Sequence, residues 1–519
     1  MSKREQERQQ LHSTIWGIAN KLRGSIDGWD FKQYVLGIIF YRYISENLTN
    51  YINEDEHKSG NLNFDYKKTD DNNALKIKNE IIKSKGFFIL PSELFQNIQN
   101  NAANDENLNI TLENIFKNIE DSSNGTKSEK NFKGLFEDID VNNRKLGPSV
   151  KERNKKLFTL LDGINEMKLG NFKDNSIDAF GDAYEFLMGM YASKAGKSGG
   201  EYFTPQEVSE LLTKITIVGK TKVDKVYDPT VGSGSLLLKF AKILGKENIK
   251  GGFYGQEKNP TTYNLCRINM FLHDIDYESF DIAYGDTLLE PKHKNMIPFE
   301  AIVSNPPYSI SWEGRKNSTL INDPRFSPAG ILAPDSNADF AFIMHALSHL
   351  SSNGTAAIVC FPGILFRTGA EQKIRQYLVD NNFVDCIIQL PSNLFFGPNI
   401  VTCIMVLKKN KENNRNILFI DASKEFVKVT NSNKLTETNI ETILNIFKER
   451  KEIKYVSKSF SINEIAEQDY SLSVGSYIKA EDKKEIIDIK VLNKEIENIT
   501  KNCDSLRQKI KKIIKEIEN

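Results

Sequence analysis

The residue types best suited to catalysis stand together in the run Asn305-Pro306-Pro307-Tyr308. This run follows residues 301–303, whose short apolar and β-branched character predicts a buried strand. The first proline restricts Asn305 to extended geometry and neither proline can donate to a sheet, so we expect a stiff turn there. The Asn305 side-chain oxygen and the Pro306 carbonyl can both accept hydrogen bonds from one NH2 group, and Tyr308 offers a flat face for a planar substrate. The pattern favours transfer to an exocyclic or amide nitrogen over a turn with an incidental aromatic.

A glycine turn follows an earlier predicted strand. Residues 225–237 predict a strand, a turn and a helix, a pattern that lets the backbone approach a ligand beside a helix N-terminus. The candidate ligand-binding residues in this segment are Asp228, Gly232, Ser233, Gly234 and Ser235. The turn lacks the third glycine of the dinucleotide fingerprint, which argues against NAD.

Two acidic residues end the next two predicted strands. Glu257 ends the strand over residues 252–257, about twenty residues beyond the glycine turn, where an acid commonly accepts ribose hydroxyls. Asp286 follows the strand that begins at Ile282 and can accept a hydrogen bond from the amino group of a base. The alternatives are a helix cap or a solvent-exposed charge for Glu257, and a turn cap for Asp286.

Residues 201–206 join a glycine-rich loop to a predicted helix. Thr204 is the expected N-cap, Pro205 the first-turn proline, and Glu207 stands at the capping-box position. Phe203 is interpreted either as a core anchor of that helix or as a lid over a small ligand, because a flexible loop leads directly into it.

A long polar loop is predicted over residues 309–335, after the Asn-Pro-Pro-Tyr run. It contains Trp312, Arg315, Lys316 and Arg325. Basic and aromatic side chains together suit contacts with DNA, and an ordinary surface loop is the alternative.

The composition restricts the class of protein without identifying it. The chain has 519 residues, enough for two or three domains, and Lys and Arg balance Asp and Glu at 69 each. The five cysteines show no CxxC spacing and are expected to be reduced packing residues of a cytoplasmic protein. His345 and His349 have no accompanying third ligand, so we predict packing and no metal site. No apolar run approaches the length of a membrane span.

The remaining pattern divides the chain into three parts. Residues 1–165 are expected to be mainly helical, with an aromatic-rich core segment at 29–43 and polar loops at 51–75 and 97–131. Residues 170–430 alternate predicted strands and helices, and residues 431–480 are polar with short helices. A heptad series then predicts a coiled-coil helix that packs against partner helices or folds back on its own chain. Its members are Ile489, Leu492, Ile496, Ile499, Cys503, Leu506, Ile510, Ile513 and Ile517.

In this order, the motifs resemble the S-adenosylmethionine-dependent amino-methyltransferases of DNA. More narrowly, they resemble the modification subunit of type I restriction-modification systems, and residues 16–45 and 469–473 strengthen the likeness. The resemblance implies an α/β fold with a Rossmann-like seven-stranded methyltransferase sheet. We expect a helical N-terminal domain over 1–168, the methyltransferase domain over 169–430, and a region with the heptad helix for subunit assembly over 431–519.

The resemblance also implies roles for single residues. Asn305, Pro306, Pro307 and Tyr308 would hold a flipped target adenine. Glu257 would bind the ribose of S-adenosylmethionine. The further residues expected around this cofactor are Glu201, Tyr202, Phe203, Thr204, Pro205 and Gln206 at its methionine end, Asp228 and Gly232 to Ser235 beneath it, and Asp286 at its adenine.

The implied function is site-specific methylation of adenine in DNA. The implied partners are double-stranded DNA, a separate specificity subunit, a second copy of this chain and, optionally, a restriction motor subunit. The alternatives are methylation of a cytosine amino group or of a protein glutamine, and a mainly structural role in assembly. The chain itself is not expected to be the motor, because it has no GxxxxGK[ST] phosphate loop.

Overall fold

The computed structural model describes residues 3–21, 28–167, 179–192, 204–395, 401–411, 415–429, 432–479 and 489–517. Contacts between residues divide the chain into two compact units, Met1–Ile478 and Lys479–Asn519. The predicted site residues Glu201, Tyr202 and Phe203 and the glycine-rich loop before them lie outside the described residues.

Up to residue 192 the described chain folds into helices joined by turns. These are α1 (Lys3–Lys21), α2 (Gly28–Lys58), α3 (Asp71–Ala74), α4 (Lys78–Lys85), α5 (Phe95–Asn101), α6 (Leu108–Ser122), α7 (Glu129–Phe132), α8 (Val150–Asn165) and α9 (Ala179–Ala192). The aromatic segment predicted as a bundle core lies in α2, where Tyr34, Tyr41 and Tyr43 are buried.

The prediction of polar loops in this region was wrong in two places. Helix α2 continues to Lys58, and α6 lies within the segment expected to be a loop over residues 97–131. In α6 the side chains of Leu108, Leu112, Ile115 and Ile119 recur every three or four residues and are buried. Most of the Asn, Asp and Lys residues that suggested a loop, namely Asn114, Lys117, Asn118 and Asp121, belong to the exposed face of the same amphipathic helix.

A large mixed sheet forms the centre of the first unit. The strands are β1 (Val223–Asp228), β2 (Ile249–Glu257), β3 (Phe280–Tyr284), β4 (Phe299–Ser304), β5 (Leu350–Cys360), β6 (Val384–Gln389), β7 (Cys403–Lys408), β8 (Ile417–Asp421), β9 (Val427–Val429), β10 (Ser432–Lys434) and β11 (Ser457–Phe460). Nine of them form one sheet in the order β11-β8-β6-β7-β5-β4-β1-β2-β3, and β9 pairs with β10.

The predicted methyltransferase sheet is confirmed, and it is two strands wider than expected. The seven predicted strands run from β6 to β3, with β7 antiparallel to both of its neighbours. Beyond β6 the sheet gains β8, which pairs in parallel, and β11, which is antiparallel to β8. The polar strand β11 was not predicted because its sequence, Ser-Lys-Ser-Phe, has little of the β-branched and aromatic character of a strand.

Helices cover both faces of the sheet. They are α10 (Gln206–Thr216), α11 (Ser235–Leu244), α12 (Pro260–Leu272), α13 (Asp339–His349), α14 (Ala370–Asp380), α15 (Glu437–Glu449), α16 (Ile462–Ala466) and α17 (Val474–Tyr477). Alternate residues of β4 enter two separate cores, with Ala301 and Val303 in one and Ile302 in the other. A strand buried on both faces in this way is a rigid support for the turn that follows it.

The order of the strands determines where a ligand can bind. Strand β1 lies between β2 and β4 and is parallel to both. The strand order therefore reverses at β1, with β2 on one side of it and β4 on the other. In such sheets the ligand binds in a crevice at this point, which the carboxyl ends of β1 and β4 border. Both the glycine turn and Asn305 follow these two strand ends.

The second unit contains α18 (Ile489–Ile517), the helix predicted from the heptad series. Its apolar seam faces solvent, since Ile489, Ile496, Ile499 and Ile510 are each more than half exposed. In the part of the chain that the structure describes, we find no helix with the length and hydropathy of a membrane span.

Candidate active site

Asn305 lies directly after β4, as predicted, and its side-chain amide is held at both ends. Its Nδ2 donates to Thr204 Oγ1 at 3.1 Å, and its Oδ1 accepts from the Tyr308 hydroxyl at 2.5 Å. The two hydroxyls hold the amide in place, with Nδ2 as the donor to Thr204 and Oδ1 as the acceptor from Tyr308. The oxygen keeps a second lone pair for a further donor.

The other residues of this turn differ in their exposure. Pro306 is buried, and Pro307 and Tyr308 are half-buried. The Tyr308 ring packs against the core on one face of the sheet. Burial, followed by the nearby Cys360 thiol, raises the pKa of Tyr308 well above its ordinary value, so the hydroxyl remains a donor to Asn305.

The glycine turn begins at Asp228 and contains two glycines in the left-handed region. Gly232 has φ +54° and Gly234 has φ +82°. A Cβ on Gly234 would stand 2.9 Å from Cys266 Sγ, so both its backbone conformation and its close packing require glycine. Ser233 and Ser235 are buried, and the Ser233 carbonyl accepts from Asn269 Nδ2 at 2.8 Å.

Asp228 is fully buried beneath this turn. Its Oδ1 accepts from the Thr230 backbone N–H at 2.9 Å, whereas its Oδ2 has no hydrogen-bond partner among the described residues. Burial raises the pKa of Asp228 to about 7. Thr230 also contacts the end of β4, with its hydroxyl 2.7 Å from Ser304 Oγ, and so joins the glycine turn to the strand that carries Asn305.

Glu257 ends β2 and holds two backbone N–H groups that belong to cavity residues. Its Oε2 accepts from the Gly232 N–H at 3.0 Å, and its Oε1 accepts from the Asn259 N–H at 2.8 Å. Burial raises the pKa of Glu257, and these backbone hydrogen bonds act in the opposite direction by stabilising the carboxylate. The expected alternative of a solvent-exposed charge is therefore excluded.

Asp286 lies two residues beyond β3, and both of its oxygens have partners. Oδ1 accepts from the Leu288 N–H at 2.9 Å, so the residue does cap a turn. Oδ2 accepts from Lys258 Nζ at 2.8 Å, and the Lys258 side chain is 76% exposed. A ligand that bonds to this oxygen would have to share it with Lys258 or displace that exposed side chain.

A cavity of about 780 Å³ brings part of the predicted site together. Its wall includes Gly232, Glu257, Asp286, Asn305 and Pro307. The predicted residues that lie outside this wall are Thr204, Pro205, Gln206, Asp228, Ser233, Gly234, Ser235, Pro306 and Tyr308. A cavity of this size at the ends of β1 and β4 can enclose a nucleoside-sized ligand next to the Asn305 amide.

The chain matches known protein families over nearly its whole length. A family described as N-6 DNA Methylase matches residues 175–486, and one described as HsdM N-terminal domain matches residues 11–164. The type I restriction enzyme MpnII methylase subunit of Mycoplasma pneumoniae is 53% identical, over 99% of this chain and 98% of that protein. The chain belongs to the type I restriction enzyme methylase subunits.

Further comparisons agree with this family. The MjaVII methylase subunit of Methanocaldococcus jannaschii is 29% identical over 93% of this chain and 80% of that protein. A crystal structure of the type I methyltransferase subunit from Streptococcus thermophilus superposes with a TM-score of 0.81 at 35% identity, covering 91% of this chain and 99% of that one. This methylase subunit is therefore an N6-adenine DNA methyltransferase, and the cytosine, glutamine and purely structural alternatives are not favoured.

One local prediction for the methylase subunit was wrong. Thr204 is not an N-cap, because Pro205 adopts extended geometry and α10 begins at Gln206 with no side-chain cap. The Thr204 hydroxyl accepts from Asn305 instead. Glu207 consequently stands one position too early for a capping box. The amide of Gln206 is buried and has no partner among the described residues.

The polar loop over residues 309–335 separates into two parts in the methylase subunit. Arg315 is exposed, and Trp312 and Lys316 line the cavity, so these three can reach a ligand. Arg325 cannot contact DNA, because it is only 6% exposed and is held by Asp323.

The partners of Arg325 give it a structural role. Its guanidinium donates to the Thr287 and Leu288 carbonyls at 2.9 and 2.7 Å, and Nη1 lies 3.1 Å from His345 Nδ1. Arg325 thereby supports the wall of the cavity. His345 and His349 are buried and stack on each other, in agreement with packing.

Several cavity residues were not predicted from the sequence. Asn259 and Pro260 follow Glu257 by two and three positions, and Leu288 follows Asp286 by two. Their closeness to the two acidic residues was the available signal. Phe342, on α13, gave no such signal, because a phenylalanine in an apolar helix is indistinguishable from a core residue.

Proposed function

We propose that the methylase subunit transfers a methyl group from S-adenosylmethionine to the 6-amino group of an adenine extruded from DNA, and that residues 305–308 hold that adenine. The observation that supports this most is the shared cavity, in which Asn305 and Pro307 face the same space as Gly232 and Glu257. An amide that accepts from an amino group and a turn that suits a nucleoside are the two parts that such a transfer requires.

The residues around the cavity fit S-adenosylmethionine. Each Glu257 oxygen accepts one backbone N–H and retains a lone pair for a ribose hydroxyl. Gly232 has no side chain, so the backbone is bare where the ligand would approach. Asp228 is buried beneath the cavity residues Pro229 and Thr230, and its carboxylate is proposed to favour the ammonium of the methionine part by its negative charge. Asp286 is assigned to the adenine of S-adenosylmethionine, which would compete with Lys258 for the Asp286 carboxylate.

The chain's own residues position the target nitrogen. S-adenosylmethionine supplies an electrophilic methyl group when it is bound. Asn305 Oδ1 would accept one hydrogen of the adenine amino group, while Thr204 and Tyr308 hold the amide in place. The Pro306 carbonyl would accept the other hydrogen, and the Tyr308 ring would stack on the base. Holding the amine in this way favours the pyramidal form that attacks.

We further propose that the methylase subunit assembles with other chains through α18. The exposed apolar seam of α18 supports packing against helices of a specificity subunit, because an isolated amphipathic helix of this kind has nothing else to bury its seam against. We assign sequence recognition to that subunit, with a second copy of this chain and, optionally, a restriction motor subunit in the complex. Residues 1–168, 169–430 and 431–519 are proposed as the helical, catalytic and assembly regions.

The test is methylation by the complex co-purified with its specificity subunit. Methylated bases would be mapped in DNA after incubation with and without S-adenosylmethionine. The proposal expects N6-methyladenine at one recurring sequence, only when the donor is present. Glu257→Ala should weaken binding of the donor about tenfold or more, since it removes hydrogen bonds from a charged acceptor, whereas the exposed acid variant Glu247→Ala should not. Methylation of cytosine or of protein alone would refute the proposed reaction. Equal donor binding by both variants would refute the role of Glu257.

A further inference from the structure

The turn between β5 and α14 presents an unusually exposed aromatic ring. Phe366 is 57% exposed, the largest value for any aromatic side chain in the described part of the chain. Burying a phenylalanine contributes roughly 1.5–3 kcal/mol, so leaving this ring in water forgoes a substantial stabilisation. A function that uses the ring at the surface would account for it.

The backbone that carries Phe366 is firmly held. Ile364 and Leu365 are buried immediately before it. The Leu365 carbonyl accepts from the Leu472 N–H at 2.8 Å, and the Ile364 carbonyl accepts from Arg375 Nη1 at 2.8 Å. Leu472 belongs to residues 469–473, a string singled out in the sequence, and one of its roles is thus to brace this turn. Phe366 is a rigid projection.

The turn leaves the sheet next to Asn305. Strands β4 and β5 are parallel neighbours, and Ser304 is in register with Ile358. Asn305 therefore begins its turn beside the end of β5, roughly one strand spacing of about 4.8 Å away. Arg367 follows Phe366 and adds a cation at this edge, 3.5 Å from Glu371. Asp339 Oδ2 accepts from the Ser309 N–H at 3.1 Å, one residue after Tyr308, and burial raises the pKa of Asp339 while the nearby Arg367 guanidinium acts against that rise. The turn that carries Phe366 therefore lies near residues 305–308, where an apolar ring and a guanidinium suit the stacked bases and the phosphates of DNA.

We propose that Phe366 inserts into the DNA duplex and occupies the space that the target adenine leaves when it enters the site. This inference rests on the proposed function, because it requires an extruded base. The ring would stack on the neighbouring base pairs and offset part of the unstacking cost, which is a few kcal/mol for a paired base. Arg367 would contact the adjacent phosphate.

The test uses the complex with its specificity subunit and a duplex that carries 2-aminopurine at the target position, whose fluorescence rises when the base leaves the stack. Phe366→Ala should lower this fluorescence and reduce the methylation rate of an ordinary duplex about tenfold to a hundredfold. Phe366→Trp should retain both. A mismatch opposite the target adenine should restore the rate of Phe366→Ala to within about threefold of wild type, because the base then leaves the stack more easily.

The control is Tyr455→Ala. Tyr455 is also exposed, and it precedes β11, four strands from β5 and about 19 Å away by strand spacing. This variant should behave as wild type. If Phe366→Ala extrudes 2-aminopurine as well as wild type, or if the mismatch fails to rescue it, the inference is overturned while the proposed function stands. If the wild-type complex neither extrudes the base nor methylates adenine, both are overturned.

Discussion

The buried carboxyl of Asp228 makes a quantitative prediction about stability and pH. The group is fully buried, one of its oxygens has no partner among the described residues, and burial raises its pKa to about 7. Because the pKa in the folded protein is above that in the unfolded chain, the folded state binds the proton more tightly. The resulting stabilisation is present in acid and is lost as the pH rises through about 7.

The size of the effect follows from the two pKa values. Between pH 5 and pH 8 the folded carboxyl changes from protonated to ionised, while the unfolded carboxyl, with an ordinary value of about 3.9, is ionised throughout. From pH 5 to the folded pKa of about 7, only the folded carboxyl is protonated, and each of these two pH units lowers the free energy of unfolding by about 1.36 kcal/mol. The free energy of unfolding should therefore fall by about 3 kcal/mol from this group alone. Asp228→Asn cannot titrate and keeps an oxygen for the Thr230 N–H.

The assay is urea denaturation of wild type and Asp228→Asn at pH 5 and pH 8 without ligand. Other titrating groups cancel in the difference between the two proteins, so wild type should lose about 3 kcal/mol more than the variant. The variant should also bind S-adenosylmethionine more weakly at pH 8, because it lacks the negative charge proposed to favour the ammonium from beneath the cavity. Equal pH dependence in the two proteins would refute the assignment of a raised pKa to Asp228.

Three further predictions concern residues around the site and the partner helix. Asp138→Ala removes an oxygen that accepts from Thr261 Oγ1 at 3.0 Å, and Thr261 follows the cavity residue Pro260. The dissociation constant for S-adenosylmethionine in titration calorimetry should therefore rise about fivefold. An unchanged value would show that Asp138 does not support the cavity. Arg325→Ala leaves the half-buried Asp323 carboxylate and two buried carbonyls without their donor and should lower the free energy of unfolding by about 3 kcal/mol in urea. A loss below about 1 kcal/mol would contradict its buried role. Ile499→Asp should abolish co-purification of the specificity subunit, whereas Thr500→Asp, one position off the seam, should not; retention by both would rule out the seam as the contact.

The sequence predicted those parts of the site that depend on neighbouring residues. Two prolines after an apolar run end β4 at Ser304 and leave Asn305 at the strand end, because both effects act within a few residues. Gly232 and Gly234 occur where the turn needs positive φ. Glu257 was identified from its distance along the chain to this turn.

The sequence failed where a role depends on a distant partner. Thr204 has a suitable side chain for an N-cap, yet its hydroxyl bonds to Asn305, 101 residues later. Arg325 resembles a DNA contact by type, but its partners are carbonyls near Asp286 that only folding brings close. Helix α6 was missed because its polar face dominates the composition, and β11 because its pairing with β8 determines its conformation.

The central claim is that Asn305 holds the target amino group by a hydrogen bond. It is tested most directly by measuring donor binding and methyl transfer separately. The complex containing Asn305→Ala would be compared with wild type for binding of S-adenosylmethionine by calorimetry and for transfer of a labelled methyl group to DNA. We predict donor affinity within about twofold of wild type and a transfer rate reduced at least about a hundredfold, as expected for loss of a positioning hydrogen bond at the reacting nitrogen. Transfer at the wild-type rate would contradict the account, because the adenine would then be held by other residues.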